Sequence, residues 1–219
     1  MITKKNLTKS KSLLPLKKKE KKIYNTILNA INLLFNKNYR PDAFDINKIN
    51  KKFFLESEKL LPKGNYVGLS ITQGNIYRKK EWPIDNIIKI SNKLIESKKT
   101  PVFLIEKKNQ DLKNKIKKLI PMALFPEHES NIASPALVTC LGKRLDFAIT
   151  IDNGIMHMLS LAKVPMIALF GPTDSEKFAP EYKNSIILDS KKLHNTKDIS
   201  AITVEDVLMA AKQHLNFSY

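Results

Sequence analysis

Residues 149–180 constrain the fold of this chain more than any other stretch. An apolar run over 147–151 ends at the polar turn Asp152-Asn153-Gly154, after which apolar residues recur with the period of a helix. A second apolar run over 166–170 breaks at Gly171-Pro172-Thr173-Asp174. This order predicts two parallel strands joined by a crossover helix. The two polar turns should then meet at the carboxyl ends of the strands, where open α/β sheets bind their ligands.

Strand and helix patterns alternate on both sides of this segment. Further strands are predicted over 66–71, 102–105, 122–125 and 186–188, and helices over 83–97, 110–120 and 135–141, with a last helix from Thr203. Ser134 is a predicted helix cap, and Thr203 with Asp206 resembles a capping box. About six strands alternating with helices predict the α/β class. We expect a doubly wound, mostly parallel, Rossmann-like sheet over residues 65–219.

The first 64 residues have a different character. Residues 1–22 are rich in Lys and poor in apolar side chains, which predicts a disordered basic tail. Apolar residues at helical spacing predict one helix over 23–35 and a second over 49–61. We therefore divide the chain into a basic tail, a short helical extension over 23–64 that serves as a linker, and one α/β domain over 65–219.

The net charge of +17 is concentrated in the N-terminal part. Residues 1–64 hold 16 Lys or Arg against 5 Asp or Glu, whereas residues 65–219 hold 22 against 16. Basic stretches of this kind attract nucleic acids and anionic lipids without specificity. The charge therefore predicts no specific nucleic-acid partner, and it allows peripheral contact with a membrane.

Apolar runs in the sequence are too short for a membrane-spanning helix, and the first residues lack the apolar core of a signal peptide. We therefore expect a cytoplasmic location. The single cysteine, Cys140, lies in an apolar stretch, which predicts a buried thiol. One cysteine excludes an internal disulfide and a Cys-rich metal site.

The turn 152–154 is the first candidate binding site. A helix that begins directly after a strand presents free backbone N–H groups and the positive end of its dipole, which suit a phosphate or diphosphate. Gly154 leaves room for the ligand, and His157, one turn later, could donate a further hydrogen bond. The alternative interpretation is structural, with Asp152 as an ordinary N-cap and His157 as a surface residue of the helix.

Two other loops are predicted at the same edge of the sheet. Thr173 and Asp174 supply a hydroxyl and a carboxylate, although their loop alone is typical of an ordinary turn. After the first strand of the domain, Lys80 could neutralise a phosphate with Trp82 packed beneath it. Composition equally favours a solvated basic loop in which Trp82 anchors the next helix. Other residues predicted to line the pocket are Ser70, Thr72, Gln73 and Gly171.

Three stretches together resemble a known family. The sequence IDNGIMH is similar to the Asp-Thr-Gly-x-x-His motif of the heptosyltransferases, family nine of the glycosyltransferases, which act in lipopolysaccharide core synthesis. GPTD resembles the Gly-Pro-Thr-Asp stretch of that family, and KKEWP resembles its Lys-x-Trp-Pro loop. The order and separation of the three stretches also agree. The resemblance covers residues 65–219, which correspond to the nucleotide-sugar half of a two-domain GT-B enzyme.

This resemblance implies a role for each matching position. It implies that the donor diphosphate binds Asn153, Gly154, Ile155 and His157 at the helix start, next to Asp152 and with Lys80. Thr173 and Asp174 would line the same pocket. The implied reaction is an inverting, metal-independent transfer from a nucleotide sugar of the ADP-heptose class to a lipopolysaccharide core acceptor, without a cofactor. The helix dipole and a Lys would stabilise the leaving nucleoside diphosphate.

The chain departs from the family pattern in three places. Asn153 stands where Thr is usual. After the strand 102–105, the family often has a turn of small residues and then a Glu that binds the ribose. Here the charged stretch Glu106-Lys107-Lys108 takes the place of that turn, so Glu106 is the remaining candidate for the ribose. Residues 1–64 lack the Gly-Asp motif of the N-terminal acceptor domain, whose Asp is taken as the general base. Their helical part, 23–64, resembles at most the final helices and the linker of that domain.

Two main hypotheses follow from these departures. The chain is either a truncated heptosyltransferase-like enzyme at the inner face of the cytoplasmic membrane, or a non-catalytic nucleotide-sugar binding module whose partner chain supplies the acceptor domain. Binding to nucleic acids or membrane surfaces through the basic tail is a third alternative. The sequence identifies no general base in this chain.

Overall fold

A computed structural model of the protein describes residues 22–38, 44–73, 77, 79–215 and 217. Its contacts divide the chain into two compact units, Met1–Asp42 and Ala43–Tyr219. This division places the second predicted helix in the larger unit, whereas the sequence predicted that the α/β domain begins at residue 65. The predicted disordered tail lies outside the described residues, apart from Lys22.

The smaller unit contains helix α1, Ile23–Phe35, with the predicted bounds. The helix ends at Asn36, whose left-handed backbone (φ 47°) allows its N–H to bond the carbonyls of Asn32 and Leu33. None of the residues of α1 is buried, and none carries a charged side chain. The helix is therefore apolar without being part of a core.

The larger unit is built on one parallel sheet of five strands. The strands are β1 (Tyr66–Ser70), β2 (Thr100–Phe103), β3 (Phe147–Ile151), β4 (Met166–Phe170) and β5 (Ser185–Asp189). Their order is β2-β1-β3-β4-β5, and every pair is parallel. The winding of the chain reverses between β1 and β3, so the structure confirms the predicted doubly wound α/β fold.

Helices precede, connect and follow these strands. Those that the sequence predicted begin close to the predicted residues, whereas the short helices Pro126–Glu129, Ser175–Phe178 and Ser190–His194 were not predicted. The helices of this unit are α2 (Lys51–Leu60), α3 (Ile84–Glu96), α4 (Gln110–Leu119), α5 (Pro126–Glu129), α6 (Pro135–Gly142), α7 (Gly154–Leu161), α8 (Ser175–Phe178), α9 (Ser190–His194) and α10 (Val204–Leu215). Short 3₁₀ helices cover Ile46–Lys48 and Ile199–Ala201.

The predicted helix caps are confirmed. Ser134 Oγ accepts a hydrogen bond from the backbone N–H of Leu137 (3.3 Å) at the start of α6. At the start of α10, the N–H of Thr203 donates to Asp206 Oδ2 (2.8 Å), and the N–H of Asp206 donates to Thr203 Oγ1 (3.1 Å). This reciprocal pair is a capping box in which Asp replaces the usual Glu or Gln.

One predicted strand, over 122–125, is wrong. Only Leu124 pairs with the sheet there, as an isolated parallel bridge to Val102. Proline bounds the segment on both sides: Pro121 precedes it, and Pro126 begins α5. Because proline has no N–H to donate and its ring restricts the preceding residue, the apolar segment cannot extend into a longer ladder.

Both faces of the sheet are covered by helices. One face packs against α3, α4 and α10 through buried residues such as Ile90, Ile116 and Val207. The other face packs against α6 and α7 through residues such as Leu137 and Met156. Cys140 of α6 is fully buried, as predicted, and this burial raises the pKa of its thiol to about 11.

Candidate functional site

Asn153 joins the carboxyl ends of β1 and β3, at the point where the winding reverses. It is the N-cap of α7, because its Oδ1 accepts a hydrogen bond from the N–H of Met156 (3.0 Å). Its Nδ2 donates to the buried Ser70 Oγ (2.7 Å) and to the carbonyl of Thr72 (2.9 Å). The interpretation of Asp152 as the N-cap is therefore wrong. Asn153 fixes the start of α7 against the end of β1.

Asp152 instead forms a buried ion pair with Lys80. Lys80 Nζ lies 2.9 Å from Asp152 Oδ2 and 2.6 Å from the carbonyl oxygen of the same residue. The N–H of Lys80 donates to Gln73 Oε1 (2.9 Å), so the loop after β1 is attached to the end of β3. A Lys ammonium has three donors, and Asp152 takes two of them. Lys80 thus compensates the carboxylate, and its third N–H has no acceptor among the described residues.

A cavity of about 210 Å³ opens at the start of α7. The first N–H groups of a helix have no partner within the helix, and Asn153 satisfies that of Met156, which leaves those of Gly154 and Ile155. The residues that line the cavity are Thr72, Gln73, Glu106, Lys108, Asn109, Asn153, Gly154, Ile155 and Met158. Most of its polar groups are hydrogen-bond donors or neutral side chains, as an anion site requires.

Gly154 faces open space in this cavity. A Cβ built on Gly154 would have Met158 Cε, at 4.0 Å, as its nearest neighbour outside the helix backbone. Gly154 has no positive φ angle, so neither backbone conformation nor packing requires glycine here. What the glycine provides is room beside the N-terminus of α7.

A second cavity, of about 290 Å³, adjoins the first. The two share Glu106, Ile155 and Met158, so Glu106 stands at their junction. The second cavity is mostly apolar, and its other lining residues are Lys107, Glu127, Ala133, Ser134, Pro135 and Val138. Together the cavities form a cleft that is polar at the start of α7 and apolar beside α6.

Glu127 lines the second cavity and is not among the candidate residues predicted from the sequence. It is only 5% exposed, and its Oε1 has no hydrogen-bond partner among the described residues. Desolvation, followed by the nearby charge of Glu106, raises the pKa of its carboxyl to about 7. A signal was present in the sequence. Pro126-Glu127 follows the apolar segment 122–125, so its polar residue lies at the same edge of the sheet as the other candidates.

His157 lies on the exposed side of α7 and lines neither cavity. Partial desolvation of the imidazole lowers its pKa, Lys80 adds to this effect, and Asp152 opposes it. The imidazole is therefore neutral at pH 7, and one of its ring nitrogens can donate a hydrogen bond.

Trp82 is buried rather than placed at the pocket rim. It is 4% exposed, and its indole N–H donates to the carbonyl of Ile202 (2.8 Å). Trp82 lines neither of the two cavities, and its hydrogen bond anchors the loop to Ile202 rather than to the next helix. The bulky ring ties the loop that carries Lys80 to the core of the domain.

The loop after β4 serves mainly local structure. A Cβ on Gly171 would lie 2.6 Å from the Cβ of Ile199, so close packing requires glycine there. Asp174 is the N-cap of α8 and accepts from the N–H of Glu176 (2.9 Å). Thr173 Oγ1 is buried with no partner among the described residues. None of these residues lines either of the two cavities.

Two further observations concern the part of the chain that the structure describes. No three of its His, Cys, Asp or Glu side chains are grouped so that they could share a metal ion. Its helices are also too short or too polar for any of them to cross a bilayer.

Several solved structures share this fold. A glycosyl transferase family 9 protein from Veillonella parvula matches 94% of the chain with a TM-score of 0.73 and 20% identity. ADP-heptose lps heptosyltransferase II of E. coli matches 77% with a TM-score of 0.62 and 16% identity. The E. coli heptosyltransferase WaaC, solved with ADP, matches 73% with a TM-score of 0.55 and 16% identity.

The chain spans only part of these proteins. It covers 63% of the Veillonella protein, 53% of heptosyltransferase II and 47% of WaaC. No curated protein matches the sequence. The family model of glycosyltransferase family 9 (heptosyltransferase) matches residues 10–208, most of the chain. By this match, the chain belongs to glycosyltransferase family 9.

Proposed function

We propose that the cleft binds a nucleotide sugar and that the chain is the donor-binding half of a glycosyltransferase. The observation that carries this proposal is the open space beside Gly154 at the N-terminus of α7, where backbone N–H groups remain available for an anion. Family membership supports the same reading. The proposed donor is of the ADP-heptose class, the class named for one structural neighbour.

We propose that the donor lies along the cleft, with its diphosphate at the N-terminus of α7 and its ribose at the junction of the two cavities. The diphosphate would accept hydrogen bonds from the N–H groups of Gly154 and Ile155 and from the remaining N–H of Lys80. His157 is neutral at pH 7 and lines neither cavity, so its side chain would have to turn towards the cleft to add a donor. Glu106, at the junction of the two cavities, would accept from the ribose hydroxyls.

Transfer would then proceed by stabilising the leaving nucleoside diphosphate. Negative charge grows on the diphosphate as the bond to the sugar breaks, and the fixed N–H groups of α7 are already directed at it. The acceptor hydroxyl must lose a proton to a general base. We propose that the base belongs to an acceptor-binding domain outside residues 65–219, that the acceptor is lipopolysaccharide core, and that transfer takes place at the inner face of the cytoplasmic membrane without a metal.

A second candidate function is binding without catalysis. It is favoured by the residues of the chain, because residues 1–64 contain no Gly-Asp motif that could supply the general base. In this case a separate chain would supply the acceptor domain, and the present chain would only hold the donor.

Calorimetry with ADP and ADP-heptose tests donor binding. We expect saturable binding that is weakened at least tenfold by Gly154→Val, which fills the cavity at α7. Leu161→Val, at the exposed far end of the same helix, is the matched control and should leave the affinity unchanged. Absence of binding at millimolar nucleotide would refute the proposal.

Transfer assays separate the two candidates. The full chain is incubated with ADP-heptose and lipopolysaccharide core acceptor, and product is followed by mass spectrometry. Transfer by the isolated chain would exclude the binding-module hypothesis. Binding of the donor without any transfer would favour that hypothesis.

A further inference from the structure

The mechanism outlined above gives no role to Glu127. Its side chain lines the larger, apolar cavity, and its Oε1 is buried without a hydrogen-bond partner among the described residues. A buried polar atom without a partner costs free energy, so the unpartnered Oε1 of a carboxyl group that lines a cavity requires an explanation. A ligand group that enters the cavity would provide the missing hydrogen bond.

The position of the apolar cavity along the cleft indicates which part of a bound nucleotide would reach Glu127. Along the cleft, the start of α7 comes first, Glu106 lies at the junction, and Glu127 lies beyond it. If a nucleoside diphosphate binds as proposed above, the diphosphate and ribose occupy the first two places. The base then reaches the cavity formed by Pro135, Val138 and neighbouring apolar residues.

The hydrogen-bonding groups of a neutral carboxyl distinguish adenine from guanine. A protonated carboxyl has one donor and one acceptor, whereas a carboxylate has acceptors only. Adenine presents an acceptor, N7, beside a donor, the N6 amino group, while guanine presents two acceptors, N7 and O6, on the same edge. On this N7 edge, a neutral Glu thus matches adenine with two hydrogen bonds and guanine with one.

We propose that Glu127, which is buried and lines the apolar cavity, hydrogen-bonds the base of the bound nucleotide and selects adenine over guanine. This inference rests on the proposed donor site and deepens it by naming the residue that recognises the base. Glu127 would donate its O–H to a ring nitrogen and accept from the amino group. Ionisation of the carboxyl would remove the donor and weaken adenine binding.

Charged groups surround Glu127 on several sides. Glu106 disfavours its ionisation, and Lys107 lines the same cavity. On α5 itself stand His128 and Glu129, and Lys113 of α4 lies near His128. The raised pKa of about 7 places the loss of the proton between pH 6 and pH 8.

Calorimetry with ADP and GDP at pH 6 and pH 8 tests the inference on the full chain. Because the phosphate of ADP also titrates in this range, the effect is read as the difference between the native chain and Glu127→Gln. The native chain should lose about tenfold more ADP affinity at pH 8 than Glu127→Gln, since Gln keeps a donor and an acceptor at both pH values. Glu129→Gln, which changes an exposed neighbour, should behave like the native chain.

The preference for ADP over GDP is the second readout. Glu127→Leu should remove it, whereas Glu127→Gln should keep it. An unchanged preference in Glu127→Leu, with ADP still bound, would overturn the base-recognition proposal alone. Inorganic pyrophosphate serves as the probe for the start of α7. If neither pyrophosphate nor ADP binds the native chain, the proposed donor site itself is wrong, and this inference falls with it.

Discussion

At the scale of single residues, the start of α7 is held by one amide side chain. Asn153 caps the helix through Oδ1 and bonds two groups at the end of β1 through Nδ2. A Thr at this position, which is usual in the family motif, would retain the cap acceptor, but its single O–H could not reproduce both Nδ2 bonds. The substitution therefore changes how the two strand ends are joined while preserving the helix start.

The two glycines of the site loops should respond differently to the same substitution. Gly154→Ala places a methyl group in open space, so we expect unfolding free energy equal to or above that of the native chain. Gly171→Ala meets Ile199, at 2.6 Å from its Cβ and 2.9 Å from its backbone N, and should cost about 1–3 kcal/mol. Urea unfolding of both variants measures this. Equal losses in both would contradict the assignment of free space to Gly154.

Glu127 should make stability depend on pH in the ligand-free chain. Its pKa in the folded state is raised from 4.5 to about 7, so its contribution is fully present below pH 4.5 and is lost as pH rises through about 7. Glu127→Gln removes this loss. We expect the variant to gain about 2 kcal/mol more over the native chain at pH 8 than at pH 5.5, measured by urea unfolding. A gain that does not change with pH would contradict the raised pKa.

The sequence predicted which loops follow the carboxyl ends of the strands, but it did not predict the contacts of each side chain. Strand ends and turn residues placed the positions 70–73, 80 and 152–155 at one edge, because parallel strands share that edge. The partners of Asp152 and Asn153 could not be predicted, since an Asp or an Asn before a helix can equally be its cap. Trp82 was similarly open, because only the three-dimensional structure shows Ile202 within reach of its indole N–H.

At the scale of elements, α10 is stabilised by side-chain hydrogen bonds at its N-terminus. Thr203 and Asp206 form the capping box, and His194 Nε2 lies 2.8 Å from Asp206 Oδ2. Partial desolvation would raise the pKa of Asp206, but hydrogen bonds from Thr203 and His194 outweigh it and hold the pKa below its usual value. The carboxylate is therefore the form that stabilises α10.

This capping arrangement predicts an acid-side loss of stability. A lowered pKa contributes stability above the pKa of the unfolded chain, 3.8, and that stability is lost as pH falls through the lower folded value. Asp206→Asn should therefore destabilise the protein at pH 7, and the difference from the native chain should shrink towards pH 3. Thr203→Ala should cost about 1 kcal/mol at pH 7. Thermal unfolding at both pH values checks these expectations, and a pH-independent effect of Asp206→Asn would contradict them.

Helix starts were more predictable than strands, as the incorrect strand prediction over 122–125 illustrates. Caps depend on neighbouring residues, so Ser134 and Thr203 could be recognised from local sequence. A strand depends on a distant partner, and an apolar run of four residues fits a bridge, a strand or a buried turn. The flanking Pro121 and Pro126 were the sequence features that argued against a strand at this position.

At the scale of the whole molecule, the larger of the two compact units contains the sheet and the buried clusters. The entire sheet and both buried clusters lie within Ala43–Tyr219. Helix α1 contributes no buried residue. The larger unit thus contains the features that stabilise a domain of its size.

A chain that starts at Ala43 should therefore fold by itself. We expect cooperative thermal unfolding, followed by circular dichroism, with a midpoint within a few degrees of the full chain. We also expect its ADP affinity to match that of the full chain, because the residues that line both cavities lie beyond position 70. A non-cooperative transition would show that residues 1–42 contribute to the core.

Because Cys140 is buried, the rate at which its thiol is alkylated can report local unfolding around α6. A thiolate reacts with alkylating reagents, and a thiol that is fully buried, with its pKa raised to about 11, is protected in the native state. Because it is the only cysteine of the chain, its labelling rate reports how often α6 leaves the sheet. Ser134, Pro135 and Val138 of the same region line the larger cavity. A ligand that fills this cavity should therefore slow the labelling of a residue that it does not touch.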